Sequence, residues 1–488
     1  MKNCIIIGAG VAGLAASIRM AHKGYRVQVF ESNTYPGGKL SEFKHHGYRF
    51  DAGPSLFTQP ELVDELFTLC GKNPHDYFKY HRLETLCHYF YPDGTVLHAY
   101  ANREKWLQEL TEVLHVNPAL VEQHLKHSDY IYQHTAHLFL EKSLHKLRSY
   151  LNRATLRSML ALPFLGIFKS MNKANEAALQ HPKLVQLFNR YATYNGSNPY
   201  ECPAILNIIP HLEFSRGAYY PEGGMIRITE ALYALACDLG VEFTFGSRVE
   251  EIITQRNKVM GIRLGGKAWY ADTVICNMDV AMVYKHLLPN KKKEQEILSQ
   301  ERSSSALIFY WGINRTFPEL DLHNIFFSQH YEKEFQHIFE KKTLYEDPTV
   351  YVNITSKFTK EDAPANHENW FVMINVPSNT GQDWDQLIAA ARTNIEQKLS
   401  AMLGVRMHDH IVSEEILDPR SIESRTASYQ GSLYGSSSNH RMAAFFRHSN
   451  FSSDYSNLYF CGGSVHPGGG IPLALSSAKI IDSYISNA

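Results

Sequence analysis

The sequence predicts an α/β fold in which a Rossmann-type parallel sheet is interleaved with a second, α+β part. Two observations carry that prediction. The chain opens on a strand, a glycine-rich turn, a helix and a strand, and it closes on a strand, a second glycine-rich turn and a helix. With 488 residues and 44% hydrophobic content, it holds enough apolar material for two domains.

The opening unit spans residues 2–31. Cys4-Ile5-Ile6-Ile7 is an apolar run of the length of one buried parallel strand. Gly8-Ala9-Gly10-Val11-Ala12-Gly13 follows, then an amphipathic helix over 14–23 that Gly24 stops, then a strand over 26–30. Gly8 allows the tight turn, Gly10 lets the backbone approach a pyrophosphate, and Gly13 lets helix and strand pack closely. Glu31, 18 residues after Gly13, is placed to accept a hydrogen bond from a ribose hydroxyl. With both strands, the helix and the terminal acid present, the glycines read as a dinucleotide site rather than a chance βαβ unit.

Later segments narrow the nucleotide. Pro36-Gly37-Gly38-Lys39 comes directly after the second strand, and Phe50-Asp51-Ala52-Gly53-Pro54-Ser55 one small hairpin later, ahead of a short helix over 60–69. At the far end, Asn457-Leu458-Tyr459-Phe460-Cys461-Gly462-Gly463-Ser464 and Val465-His466-Pro467-Gly468-Gly469-Gly470-Ile471-Pro472 lead into a last helix over 474–486. Such a turn offers bare N–H groups and a helix N-terminus to a flat, electron-accepting ring. Five glycines in the nine positions 462–470 exceed what a turn alone requires.

Residues 80–100 alternate as two strands around Pro92-Asp93-Gly94, with Tyr89, Phe90 and Tyr91 either in the sheet core or on the wall of an apolar pocket. Stretches 103–114 and 118–138 are helical by spacing. Between Glu141 and Lys173, seven Lys or Arg residues and one acid alternate with apolar residues that include Leu144, Phe164, Leu165 and Phe168. Pro163 and Gly166 divide this stretch into two short amphipathic pieces. It is either a region that docks on a membrane interface or a helical subdomain with a solvated basic face.

A loop over 191–202 and an apolar stretch over 206–212 precede Tyr220-Pro221-Glu222-Gly223-Gly224-Met225. A helix over 226–239, strands over 241–245 and 249–253, a hairpin about Gly265-Gly266 and a strand over 271–277 follow. Asn277 ends its strand where a ligand crevice opens. Strands over 303–314, 325–327, 349–355 and 370–376 predict an antiparallel sheet that floors a substrate-holding part. A helix over 384–403 and the segment 411–417 complete it, and a Gly/Ser-rich loop over 429–438 heads back toward the C-terminal turn.

These segments resemble the carotenoid desaturase family, the bacterial phytoene-desaturase type within the larger group of amine-oxidase-like flavoproteins. The likeness covers essentially the whole chain. It rests on Gly8 to Gly13 with Glu31, on Gly37-Gly38-Lys39, on Phe50 to Ser55, on Tyr220 to Met225 and, most specifically, on Asn457 to Pro472. Many relatives carry Arg after the Gly-Gly pair. Lys39 keeps the charge but not the planar, bidentate fork.

The resemblance implies non-covalent FAD bound by Gly8, Gly10, Val11, Ala12, Gly13, Glu31, Gly38, Lys39, Gly53, Pro54, Ser55, Leu56, Val249, Asn277, Gly462, Gly463, Gly470, Ile471 and Pro472. The Val249 backbone would meet the adenine. It also implies a discontinuous FAD domain (1–75, 216–300 and 450–488) and a substrate domain (76–215 and 301–449), with 138–177 as candidate membrane-association helices. The implied activity is FAD-dependent desaturation of a carotenoid. Gly38-Lys39-Leu40 and the loop from Gly431 to Gly435 look more like the late-acting members, which form the 3,4-bond of a 1-hydroxylated carotenoid. Phytoene desaturation, carotenoid isomerisation and oxygen insertion are alternatives on the same fold. A polar-amine oxidase and a flavin protein without turnover lie further off. A long polyene dissolves in the bilayer, so the resemblance favours the membrane-docking reading of 138–177. The electron acceptor it implies is oxygen or a quinone.

The net charge of −1 argues against nucleic acid as a partner. Seven cysteines without a CxxC pair read as small buried hydrophobes in a reducing compartment. No run of about 18 apolar residues occurs, so no membrane-spanning helix is expected. The N-terminal apolar run reads as a strand and not a signal peptide. The expected location is cytoplasmic, with peripheral attachment to the membrane, and no feature sets an oligomeric state. No metal-ligand cluster or nucleophile–base pair stands out. His45, His46, His124 and His127 read as exposed, and His466 is the one histidine inside the flavin turn. Hydride removal from an unactivated carbon leans on the cofactor, with the protein supplying orientation and water exclusion. No catalytic acid or base is therefore assigned.

Overall fold

The computed structural model describes residues 1–139, 142–146, 165–440 and 447–488. Its first layer is a five-stranded parallel sheet in the order Leu458–Phe460, Thr273–Cys276, Asn3–Ile7, Arg26–Phe30, Glu242–Thr244. The two ends of the chain are thus neighbours, one strand apart. Ile5, Ile6, Val27, Val29 and Val274 are buried, as strands covered on both faces require. Helix Val11–His22 lies on one face and packs with Ile226–Asp238 and Ile471–Asp482. The meander Glu251–Gln255, Lys258–Leu264, Lys267–Tyr270 and helix Val280–His286 share the core on the other face. The first and last helices start at the glycine turns themselves, three residues earlier than the apolar spacing indicates.

The expected antiparallel sheet is larger and mixed. Seven strands run in the order Ile411–Leu417, Ser305–Ile313, Glu368–Val376, Val350–Ile354, His323–Phe326, Thr85–Phe90, Val96–Tyr100. All pairs are antiparallel except one, where Ile325 and Phe326 pair in parallel with Tyr89 and Phe90. The hairpin covers an edge that would otherwise present unpaired N–H and C=O groups. Rings of Phe90 and Phe326 stack across the junction at 4.5 Å. Tyr89, Phe90 and Tyr91 therefore belong to the sheet core.

His124 departs from its expected exposure. It sits on the inner face of helix Pro118–Phe139, 4% exposed, with its ring edge-on to Phe188 at 4.7 Å. Burial pushes its imidazole down to about 3, so it is neutral. Most of the basic stretch within 138–177, including Phe164, lies outside the described residues. Of the part described, Leu165 and Ile167 are buried with Ile131, Ile205 and Ile208, whereas Phe168 is 69% exposed. Among the described residues no helix is long and apolar enough to cross a membrane.

Candidate functional site

A cavity of about 1450 Å³ opens between the carboxyl ends of the parallel strands and one face of the seven-stranded sheet. Every predicted cofactor residue except Gly13 lines it. Gly13 sits one layer behind, where a Cβ would come within 2.1 Å of the Gly8 carbonyl oxygen. Helix and strand touch there, as the glycine spacing predicts. Gly8 adopts φ +95°, which favours glycine. With its amide oxygen turned to the loop, Asn277 accepts N–H bonds from Gly10 (3.1 Å) and Gly13 (3.2 Å). Asn277 thus pins the turn as well as lining the cavity. The Pro36–Lys39 and Asp51–Ser55 turns interlock, since a Cβ on Gly53 would stand 1.9 Å from the Lys39 carbonyl oxygen.

Lys39 Nζ donates to the Leu433 carbonyl at 3.0 Å. Burial pushes its ammonium down to about 8, against a partial upward pull from Asp279. Arg447, which sequence spacing did not single out, lines the cavity at 2% exposure. Its Nη1 donates to the carbonyls of Tyr434 (2.8 Å) and Gly463 (3.1 Å), tying the C-terminal turn to the Gly/Ser loop. His466 also lines the cavity, with Nε2 2.8 Å from the Lys142 carbonyl, and burial pushes it down to about 4.

The opposite wall is built from side chains. Ile308, Ile325, Phe371, Met373 and Leu417 form an apolar surface. Beside it sits a polar island that the sequence reading missed. Arg190 donates to the hydroxyls of Tyr194 (2.6 Å) and Tyr89 (2.8 Å) and lies 3.6 Å from Glu213. Glu213 in turn accepts from Tyr191 (2.7 Å) and Tyr194 (3.0 Å). Next to this group a chain of contacts runs from Ser55 Oγ to Tyr351 Oη (2.8 Å) and on to His323 Nδ1 (2.7 Å).

Residues 11–480 match the family described as flavin containing amine oxidoreductase. The chain belongs to that family. Across its whole length it is 51% identical to a 1-hydroxycarotenoid 3,4-desaturase of Flavobacterium sp. (strain P99-3), of which 99% is covered. It is 34% identical over 99% of its length to a 4,4'-diapolycopene oxygenase of Methylomonas sp, 98% of which is covered. An oxidoreductase of Methanosarcina mazei superposes over 98% of this chain and 99% of that one with a TM-score of 0.64 at 14% identity. Putrescine oxidase bound to putrescine superposes over 99% and 98% with a TM-score of 0.63 at 12% identity. The solved structures share the fold.

The cofactor of this flavoprotein is FAD, and the cavity fits it on two observations. Glu31, 6% exposed, accepts the N–H of Ala9 at Oε2 (2.7 Å) and of Asn33 at Oε1 (2.8 Å). Oε1 also accepts from the Ser32 hydroxyl (3.2 Å), so Oε2 is the oxygen that keeps a lone pair for a ribose hydroxyl at the cavity surface. Gly470, at φ +98°, has nothing within 4 Å of where a Cβ would stand, so bare backbone faces the space ahead of helix Ile471–Asp482. Among the described residues no cluster of His, Cys, Asp and Glu would hold a metal.

Proposed function

We propose that the protein is an FAD-dependent carotenoid desaturase that forms the 3,4 double bond of a 1-hydroxylated carotenoid. The observation that carries this reading is the full-length 51% identity to a relative of that activity. The apolar wall of Ile308, Ile325, Phe371, Met373 and Leu417 supports it, because a polyene has only apolar surface along most of its length.

In this reading the Gly8–Gly13 turn and Lys39 hold the pyrophosphate, Glu31 the ribose and the Val249 backbone the adenine. Gly53 to Leu56, Gly462-Gly463 and Gly470-Ile471-Pro472 frame the flavin ring. Segments 1–75, 216–300 and 450–488 act as the FAD domain, and 76–215 with 301–449 as the substrate domain. Bound FAD supplies a ring that takes a hydride from carbon. The chain's own residues hold the polyene along the apolar strands and keep water from it. Glu213 is held by Tyr191, Tyr194 and Arg190. Asp279 caps helix Val280–His286 and accepts the Tyr429 N–H, so both carboxylates are engaged in holding the surrounding structure. Orientation, and not acid–base chemistry, is the protein's main contribution. We assign the substrate's source to a membrane surface, with exposed Phe168 beside the basic stretch as a contact, and the electrons to oxygen or a quinone.

The test is incubation of the purified protein in liposomes with a 1-hydroxylated carotene and, separately, with phytoene. Loss of two hydrogens and a red-shifted spectrum from the hydroxylated substrate is expected. A gain of oxygen would instead place the protein with its 34% identical relative, and an unchanged mass with both substrates would end the desaturase reading.

A further inference from the structure

We propose that His323 is the donor that recognises the substrate's hydroxyl group and holds the hydroxylated end of the polyene beside the flavin. The proposal rests on the desaturase reading above and adds to it the residue that sets the choice of substrate. His323 opens the strand His323–Phe326, is 4% exposed and lines the cavity. Its Nδ1 has two neighbours, Tyr351 Oη at 2.7 Å and the Asn353 amide nitrogen at 3.2 Å. That nitrogen also donates to the Leu322 carbonyl at 3.0 Å, which fixes it as the NH₂ end of the amide. An NH₂ group only donates, so Nδ1 is the acceptor and the ring proton sits on Nε2.

Nε2 is buried and has no partner among the described residues. Buried donors are nearly always satisfied, so an orphan N–H on a residue that lines the cavity points to an acceptor that arrives with a ligand. Burial, with the Arg190 cation adding to it, pushes the imidazole down to about 3. It therefore presents a single neutral N–H, suited to a hydroxyl oxygen and not to a carboxylate. Arg190 also lines the cavity and its Nε is likewise without a partner, but Tyr194, Tyr89 and Glu213 hold its Nη groups and tie the guanidinium into its own cluster.

Position agrees with chemistry. Tyr351 donates to His323 Nδ1 and accepts from Ser55 Oγ, and Ser55 belongs to the Gly53–Leu56 turn assigned to the flavin. The donor is thus tied by two hydrogen bonds to the cofactor side of the cavity. In a 1-hydroxylated carotenoid the hydroxyl carbon is only two carbons from the start of the 3,4-bond. Its recogniser must lie next to the reacting carbons, and a donor at the far end of the cavity would not serve. Substrate lacking the hydroxyl would leave Nε2–H unpaired, and a site built around a hydrogen bond rejects such an analogue.

The test compares FAD-loaded wild type with His323→Phe, His323→Gln and Tyr351→Phe. The probes are a 1-hydroxylated carotene and the same carotene without the hydroxyl, in phosphatidylcholine liposomes. Binding is read from quenching of flavin fluorescence and turnover from kcat/KM. His323→Phe should lower binding and kcat/KM for the hydroxylated probe about five- to ten-fold, with the other probe unchanged. His323→Gln, whose amide can stand at the Nε2 position, should keep most of the preference. Tyr351→Phe, which removes one hydroxyl only, should lose part of it and decides the matter if the Phe variant sheds flavin. An unchanged preference in these variants, or equal loss on both probes, overturns the assignment. Wild type that binds both probes and oxidises neither would sink the desaturase reading, while the binding preference would still decide the role of His323.

Discussion

Where the parallel sheet meets the cavity, the surface is backbone. A Cβ on Gly53 would stand 1.9 Å from the Lys39 carbonyl oxygen, and one on Gly13, a layer behind the surface, 2.1 Å from that of Gly8, so both positions are glycine for want of space. Across the cavity the seven-stranded sheet presents side chains, mostly apolar, with His323 and Tyr351 among them and Arg190 and Glu213 on helical turns beside it. In the proposed function the difference follows from the ligands. A dinucleotide carries charge and hydroxyls at fixed positions that N–H groups at a helix terminus can meet. A polyene offers shape and apolar area, which only side chains can match.

The two sides should therefore fail differently when altered. The largest effect is expected on the wall. Arg190→Met leaves the buried Glu213 carboxylate without its cation and should cost about 3–5 kcal/mol of stability, read from denaturant unfolding with flavin occupancy measured alongside. An unchanged midpoint would mean that the tyrosines alone carry Glu213. Next come two neighbours that the fold turns in opposite directions. Leu165→Ser, at a fully buried site, should lower stability by about 2–5 kcal/mol. Phe168→Ser should leave the melting temperature unchanged and weaken liposome flotation. Equal flotation of wild type and Phe168→Ser would remove Phe168 from the membrane contact.

On the cradle side, Glu31→Ala strips the partners of Ala9 N–H and Asn33 N–H together with the ribose contact. FAD affinity should fall by about 1.5–3 kcal/mol, or roughly ten-fold or more, as measured by titration of the apoprotein. The smallest effect is pH-dependent. Lys39 titrates near 8 in the folded chain, below its ordinary 10.5. Between those values the unfolded chain binds more protons, so this group's contribution to stability rises with pH across that window and is lost as pH falls through 8. FAD binding runs the other way. A pyrophosphate favours the ammonium, so affinity should weaken above about pH 8 in wild type and stay flat in Lys39→Arg. A flat wild-type profile would separate Lys39 from the pyrophosphate.

The segments that line the glycine-rich side of the cavity are legible in the sequence. In the proposed function Gly8 to Gly13 and Gly462 to Gly470 act through backbone geometry and Glu31 through a carboxylate at the end of the next strand, and the residues needed for one turn lie side by side in the chain. Their types and spacing are therefore legible before any fold is known. The strand and helix segments around them were legible for the same local reason. Tertiary structure alone decided the wall. Ser55, Arg190, Glu213, His323 and Tyr351 come from five separate segments, and nothing in the neighbourhood of any one marks it as a partner of the others. The parallel junction between Phe326 and Phe90 and the burial of His124 against Phe188 have the same origin. Asn277 shows the two together. Its place at a strand end marked it as a crevice residue, but only the folded chain turns its amide onto Gly10 and Gly13. Backbone-built sites are written in contiguous residue types, whereas side-chain sites depend on distances that exist only after distant segments pack.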